Sequence, residues 1–199
     1  MKPQFLAVGA LRAWGAGLVV LLALIALALP LQAREYDAEQ QRIKQFFPDA
    51  DSLSEAAGKY QVRTLRKGEE ILGYAFQSIH VTDMPAYSGK PINMQVLLDP
   101  QGVILDAYLL EHHEPIVLIG IPEQKIHDFN AHYSGVKAGQ RVVVGRSSDP
   151  DAVTVDAVTG ATVTVMVINE IVMRAAHAVA VDLGLIEAGS HVRPRPSRV

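Results

Sequence analysis

From Val163 to Leu185 the chain carries Val, Met, Ile, Ala or Leu at most positions, and its charged or titratable residues Glu170, Arg174 and His177 recur at spacings of four and three. That pattern predicts one long helix, buried on most sides, with a single wet stripe. Upstream the period changes to two. Tyr60 to Leu65 and Ile71 to Val81 read as strands joined by Arg66 to Glu70, and Ile92 to Leu98 and Val103 to Glu111 read as a second pair. Asp99-Pro100-Gln101-Gly102 between the latter two carries the chemistry of a tight turn and predicts a hairpin. Two shorter amphipathic stretches read as helices: Glu35 to Phe47, stopped by Pro48, and Pro122 to Tyr133, whose apolar face consists of Ile126, Phe129 and Tyr133 and which Ser134-Gly135 closes. Arg141 to Gly145 adds a strand, and a loop through Pro150 leads to Val153 to Val155. The sum is an α+β domain, a twisted and mainly antiparallel sheet with the long C-terminal helix packed on one face.

The two ends do not fit this pattern. Lys2 and Arg12 precede an uncharged run from Gly15 to Leu29, and Pro30-Leu31-Gln32-Ala33 then offers a breaker and a small residue. Residues 1–33 read as a secretory signal peptide, with an uncleaved anchor in the inner membrane as the alternative. Residues 34–189 then form one domain, exported to the periplasm. Residues 190–199, rich in Pro and Arg, read as a linker or tail. Removing Lys2 and Arg12 with the leader takes the net charge from −3 to −5, a mildly acidic balance that argues against nucleic acid as a partner. The chain has no Cys, which excludes disulfides, thiolate metal sites and iron–sulfur clusters within it.

Asp156-Ala157-Val158-Thr159-Gly160-Ala161-Thr162-Val163-Thr164 runs straight into the long helix. The first amides of a helix lack intrahelical acceptors and carry the positive end of the peptide dipoles, so they favour an anion, a phosphate above all. Gly160 permits close approach of the backbone and Thr162 places a hydroxyl at the same spot. The same residues would equally serve a capped core helix.

The D-x-x-T-G-A-T run at 156–162 resembles the flavinylation motif of the FMN-binding domains found in Rnf and Na+-pumping NADH:quinone reductase subunits and in NosR-type regulators of nitrous-oxide reductase. A second block supports the resemblance: Tyr87-Ser88-Gly89, Pro91-Ile92, Asp99 and Gly102 match the loop, strand and turn of that family, with Lys90 inserted in its usual Gly-Pro step. A third is His112-x-Glu114, with Gly120 as the closing glycine; Pro115 to Leu118 replace the usual centre, a variant that resembles the NosR branch. The resemblance implies FMN held covalently by a phosphoester to Thr162, with Thr164 as the backup acceptor and Asp156, Thr159, Gly160 and Ala161 as motif positions. It implies Tyr87, Ser88, His112 and Glu114 as further cofactor-binding residues, with Tyr87, His112 and Glu114 on the side of the flavin ring. It also implies a flavin transferase that makes the bond, and nitrous-oxide reductase or its maturation factors as partners in denitrification. In NosR-type proteins a membrane-embedded iron–sulfur region follows, so this chain would be part of a longer protein.

No catalytic constellation competes with this reading. Paired carboxylates, a nucleophile with its base and a reactive thiol are all missing from the pattern, so an electron-transfer flavoprotein domain is expected rather than a self-contained enzyme. Glu111-His112-His113-Glu114 invites a metal reading, but neighbours on a strand point to opposite faces and no helical His pair completes a set, so no metal is expected. The alternative function is a non-redox periplasmic module that uses the same turn to grip a phosphate-bearing ligand or a partner protein.

Overall fold

Six residues, Asn93–Leu98 (β4), form the strand on which the rest is laid. Met94, Val96 and Leu98 point to one face and Gln95 and Leu97 to the other, and all five are at most 1% exposed. Burial on both faces marks a central strand, and β4 sits between β3 (Glu70–Gln77) and β5 (Ile104–Glu111). With β2 (Arg63–Lys67) and β1 (Ser52–Leu53) the sheet has the order β1-β2-β3-β4-β5, antiparallel throughout. The computed structural model describes residues 39–115 and 120–189. The expected signal peptide and the Pro/Arg-rich tail lie outside them.

The chain divides into two units, Met1–Gln45 and Phe46–Val199. Of the first unit, residues 39–45 are described and are helical; the start of the helix expected from Glu35 lies outside the described residues. The second holds the sheet. After β5 come a seven-residue helix, α1 (Gln124–Asn130), a 3-10 turn at Ala131–Tyr133, and then β6 (Val142–Val144) and β7 (Val153–Val155). The long helix α2, Thr162–Asp182, closes the series.

The expected α+β architecture is present, with differences of detail. The strand expected from Tyr60 is β2 and starts at Arg63, because Gln61 takes a positive φ of 52° and turns the chain. Strand β3 stops at Gln77, since Ser78 is fully buried and its hydroxyl receives the Met94 amide at 2.9 Å, leaving Ser78–His80 as a 3-10 turn. α2 ends at Asp182, short of Leu185. Gly184 at φ 70° reverses the chain, and the Gly184 and Leu185 amides reach back to the Val181 and Ala180 carbonyls at 3.0 and 2.8 Å, a Schellman closure. Strands β6 and β7 pair in parallel, an arrangement the short apolar runs did not announce. The crossover between them is held by Arg141, whose guanidinium lies 2.9 Å from the Asp149 carboxylate.

Helix α2 packs one face on β4 and β6. Val165, Ile168, Ile171, Val172, Ala175, Ala176 and Val179 are at most 1% exposed and share a core with Met94, Val96 and Leu98. By length and composition α2 could cross a membrane, yet most of its apolar positions are in the core of this unit. Ile126 and Phe129 of α1 and Tyr133 of the 3-10 turn after it join the same core at 0–2% exposure, so the thin apolar face expected over this stretch is wholly used. The Tyr133 hydroxyl donates to Asn169 Oδ1 at 3.3 Å, and Asn169 Nδ2 donates to the Val142 carbonyl at 3.1 Å, tying α2 to β6.

Burial holds the Tyr133 phenol well above its ordinary value of 10.0, because the phenolate would lose its hydration. The native state therefore keeps a proton that the unfolded chain releases. Stability should fall as pH rises past about 10, and Tyr133→Phe should flatten that fall, which urea midpoints taken between about pH 9 and 11 would report.

Candidate functional site

Two strands running in the same direction deliver the chain to the start of α2. Val144 pairs with Val155, the Gly145 amide donates to the Val155 carbonyl at 2.8 Å, and the motif Asp156 to Gly160 leaves from that end. Gly160 has φ 84°, and a side chain there would meet Ile121 Cδ1 at 2.8 Å. Both facts call for glycine. Ala161 follows, 3% exposed, with its amide on the Val158 carbonyl at 2.9 Å and its carbonyl accepting from Val165 at 3.0 Å. It stands at the N-cap and brings no side-chain bond, and the first turn contains no acid. The positive end of a 21-residue helix is thus left uncapped by any side chain.

Thr162 lies at that end, exposed, with only a long 3.4 Å bond from its hydroxyl to the Val158 carbonyl. Asp156 and Thr159 are exposed in the same turn. Thr164, two residues on, faces the other way: it is 5% exposed and its hydroxyl donates to Glu114 Oε2 at 3.0 Å. Two hydroxyls within one turn therefore have different surroundings. Thr162 is available to an incoming group and Thr164 is engaged.

The loop at 86–90 is a tight turn. The Ala86 amide donates to the Lys90 carbonyl and the Gly89 amide to the Ala86 carbonyl, each at 2.9 Å, with Gly89 at φ 77°. The extra Lys90 is accommodated there, exposed. Tyr87 stands out at 72% exposure, and the Ser88 amide donates to Glu114 Oε1 at 2.8 Å. Glu114 is 5% exposed with both carboxylate oxygens occupied. The ring-side contact expected of Glu114 is therefore not what the geometry offers; its carboxylate is turned inward, between the loop and α2.

His112 is largely buried, with its Nδ1 accepting the Glu114 amide at 3.1 Å and its Nε2 4.0 Å from Glu123 Oε1. His127 Nε2 lies 3.8 Å from the same oxygen, and the His127 ring stacks on Tyr108 with centroids 5.1 Å apart. His113 turns instead to Glu111 at 3.8 Å, so the adjacent histidines, which lie just past the end of β5, turn to different carboxylates. Of the expected Pro115 to Gly120 loop, residues 116–119 lie outside the described residues.

Three features went unread in the sequence. Ile121 packs on Gly160, Glu123 gathers two histidines, and Val163 and Met166 are 55% and 53% exposed beside Thr162. Only the last had a signal. Positions 163 and 166 fall on the same helical stripe as Glu170 and Arg174, so two apolar residues there were due to face water.

Residues 87–177 match the model of the FMN-binding domain. They belong to that family. The match spans every element just described, from the Tyr87 turn through Glu114 to Thr162 and well into α2. The Regulatory protein NosR of Stutzerimonas stutzeri is 74% identical over 191 residues, 96% of this chain and 26% of that protein. Regulatory protein NosR of Pseudomonas aeruginosa is 66% identical over 177 residues, 88% of this chain and 25% of that protein. Protein NirI of Paracoccus denitrificans is 30% identical over 171 residues, 84% and 24% respectively. The chain spans about a quarter of the length of these curated relatives.

The residues present suit FMN as a ligand of this FMN-binding domain. A helix N-terminus with no side-chain cap and no acid in its own first turn, a left-handed glycine before it and an exposed hydroxyl on it would suit a phosphate, and Tyr87, Val163 and Met166 are exposed apolar side chains that a ring system could use.

Proposed function

We propose that this FMN-binding domain carries FMN through a phosphoester on Thr162 and passes electrons in support of nitrous-oxide reductase, as one part of a longer NosR-type protein. The observation that carries the reading is the contrast between the two hydroxyls: Thr162 is exposed at the uncapped helix end and Thr164 is buried on Glu114. FMN supplies the redox capacity; the protein supplies its place. The α2 amides offset the phosphate charge, and the α2–β4 core holds the seat rigid. A phosphoester prevents loss of the group by dilution in the periplasm, where the leader would deliver the chain. The Thr162 hydroxyl is hydrogen-bonded to the Val158 carbonyl and not to a base, so an external flavin transferase that reads the 156–162 turn makes the bond: FMN passes from a flavin dinucleotide to the Thr162 oxygen, a nucleoside monophosphate leaves, and the transferase takes the hydroxyl proton.

Intact mass tests this. The chain exported alongside a flavin transferase should gain the mass of one FMN phosphoester and fluoresce in a denaturing gel. A colourless chain of unmodified mass would leave a non-redox phosphate- or partner-binding module as the better account.

A further inference from the structure

Three segments far apart in the chain meet on one buried carboxylate. Glu114 follows the end of β5, its Oε1 accepts the Ser88 amide at 2.8 Å and its Oε2 accepts the Thr164 hydroxyl at 3.0 Å. Its own amide donates to His112 Nδ1 at 3.1 Å, which leaves the imidazole proton on Nε2, facing Glu123. An apolar residue of similar size would be cheaper to bury than a carboxylate. What Leu or Met could not do is join the loop and the helix by directional bonds to both.

We infer that Glu114 is a positioning residue for flavin attachment: its carboxylate sets the phase of the first turn of α2 and the place of the 86–90 turn, so that Thr162 and Tyr87 are presented outward together. The helix makes the phase argument quantitative. At 3.6 residues per turn, side chains two positions apart point about 200° from each other. Pinning Thr164 inward on Glu114 therefore turns Thr162 outward. The bond to the Ser88 amide fixes the residue next to Tyr87, the most exposed large apolar side chain of the described residues. The role rests on the reading of Thr162 as the acceptor.

Substitutions separate positioning from mere stability. In Glu114→Gln the amide oxygen still accepts from Ser88, and its NH2 can donate to the Thr164 oxygen with the hydroxyl turned round, so the bracket survives. Glu114→Ala removes it. Thr164→Val keeps the shape of the helix turn and deletes one of the two bonds. With the full chain and a flavin transferase, the initial rate of flavin incorporation should fall about tenfold or more in Glu114→Ala and Thr164→Val and stay within about twofold in Glu114→Gln. Thr164→Val and Glu114→Gln keep the comparison open if Glu114→Ala does not fold. Melting temperatures are measured in parallel, because a purely structural role would make the rates follow stability and not the hydrogen-bonding capacity of residue 114.

Incorporation at the wild-type rate in Glu114→Ala or Thr164→Val overturns the inference while leaving Thr162 as the acceptor. So does a Glu114→Gln variant as slow as Glu114→Ala at matched melting temperature. A wild-type chain that takes up no flavin removes the attachment reading and this one with it.

Discussion

Thr162→Ala should yield a chain of unmodified mass and no covalent flavin, whatever the level of transferase. The hydroxyl oxygen is the atom that becomes the ester oxygen, and no other hydroxyl of the motif shares its surroundings: Thr164 is 5% exposed with its hydroxyl on Glu114, and Thr159 lies in the turn before the helix. The change should cost almost nothing in stability. Thr162 is exposed, its one side-chain bond is long, and Ala is the better helix former, so the net effect should lie within about 0.5 kcal/mol of zero. Thr162→Ser keeps the nucleophilic oxygen and should be loaded. This separation of loss of flavin from loss of fold is what identifies an attachment site, and peptide mapping of the wild-type chain would place the added mass on the segment containing residue 162. Full fluorescence in Thr162→Ala would move the bond elsewhere and withdraw the argument from helix phase.

How much of this was legible depends on how far apart the determining groups lie. The Asp99–Gly102 turn could be read because its causes are local: Asp99 Oδ1 accepts the Gln101 and Val103 amides at 2.8 Å each, and Gly102 supplies φ 75°. α2 was legible from its period, although Gly184 was a stop signal that the apolar run past it obscured. The early end of β3 was not, because it depends on Ser78 bonding to a residue sixteen positions away. The parallel pairing of β6 and β7 rests on two runs of three residues each, too short to carry a direction. At the site, the turn into the helix pointed to Gly160 and the family resemblance to Thr162; the left-handed backbone of the first and the exposure of the second have local causes. The inward turn of Glu114 could not be read, since its partners are 26 and 50 residues away and an acid beside a histidine looks the same in sequence whether it faces a ligand or the core.

The largest loss of stability should come from a residue with no side chain. Gly73 lies in β3, where an ideal Cβ would stand 2.5 Å from the Leu98 carbonyl oxygen and 2.5 Å from Cε1 and Cζ of Phe47. Its φ is not in the left-handed range, so the obstacle is space and not backbone conformation. The Phe47 ring could swing aside, although it is buried at 5% exposure; the Leu98 oxygen belongs to β4, the central strand, and can move only with the sheet. Gly73→Ala should therefore cost about 3 kcal/mol, at the upper end of overpacking effects, and Gly73→Val more. Adding Phe47→Leu to Gly73→Ala should recover only part of the loss, because it relieves the ring contact and leaves the carbonyl contact in place. Gly68, which unlike Gly73 has a left-handed φ of 60° but open space around it, provides the control: Gly68→Ala should cost about 1 kcal/mol from backbone strain alone. Urea midpoints of the four variants would establish the order. Since α2 packs on β4, the damage should reach the other end of the core, and Gly73→Ala should take up flavin more slowly at temperatures where the wild type is still fully folded. A Gly73→Ala chain as stable as Gly68→Ala would mean that β3 and β4 can part without strain, and α2 would then lack the rigid base on which the exposed Thr162 depends.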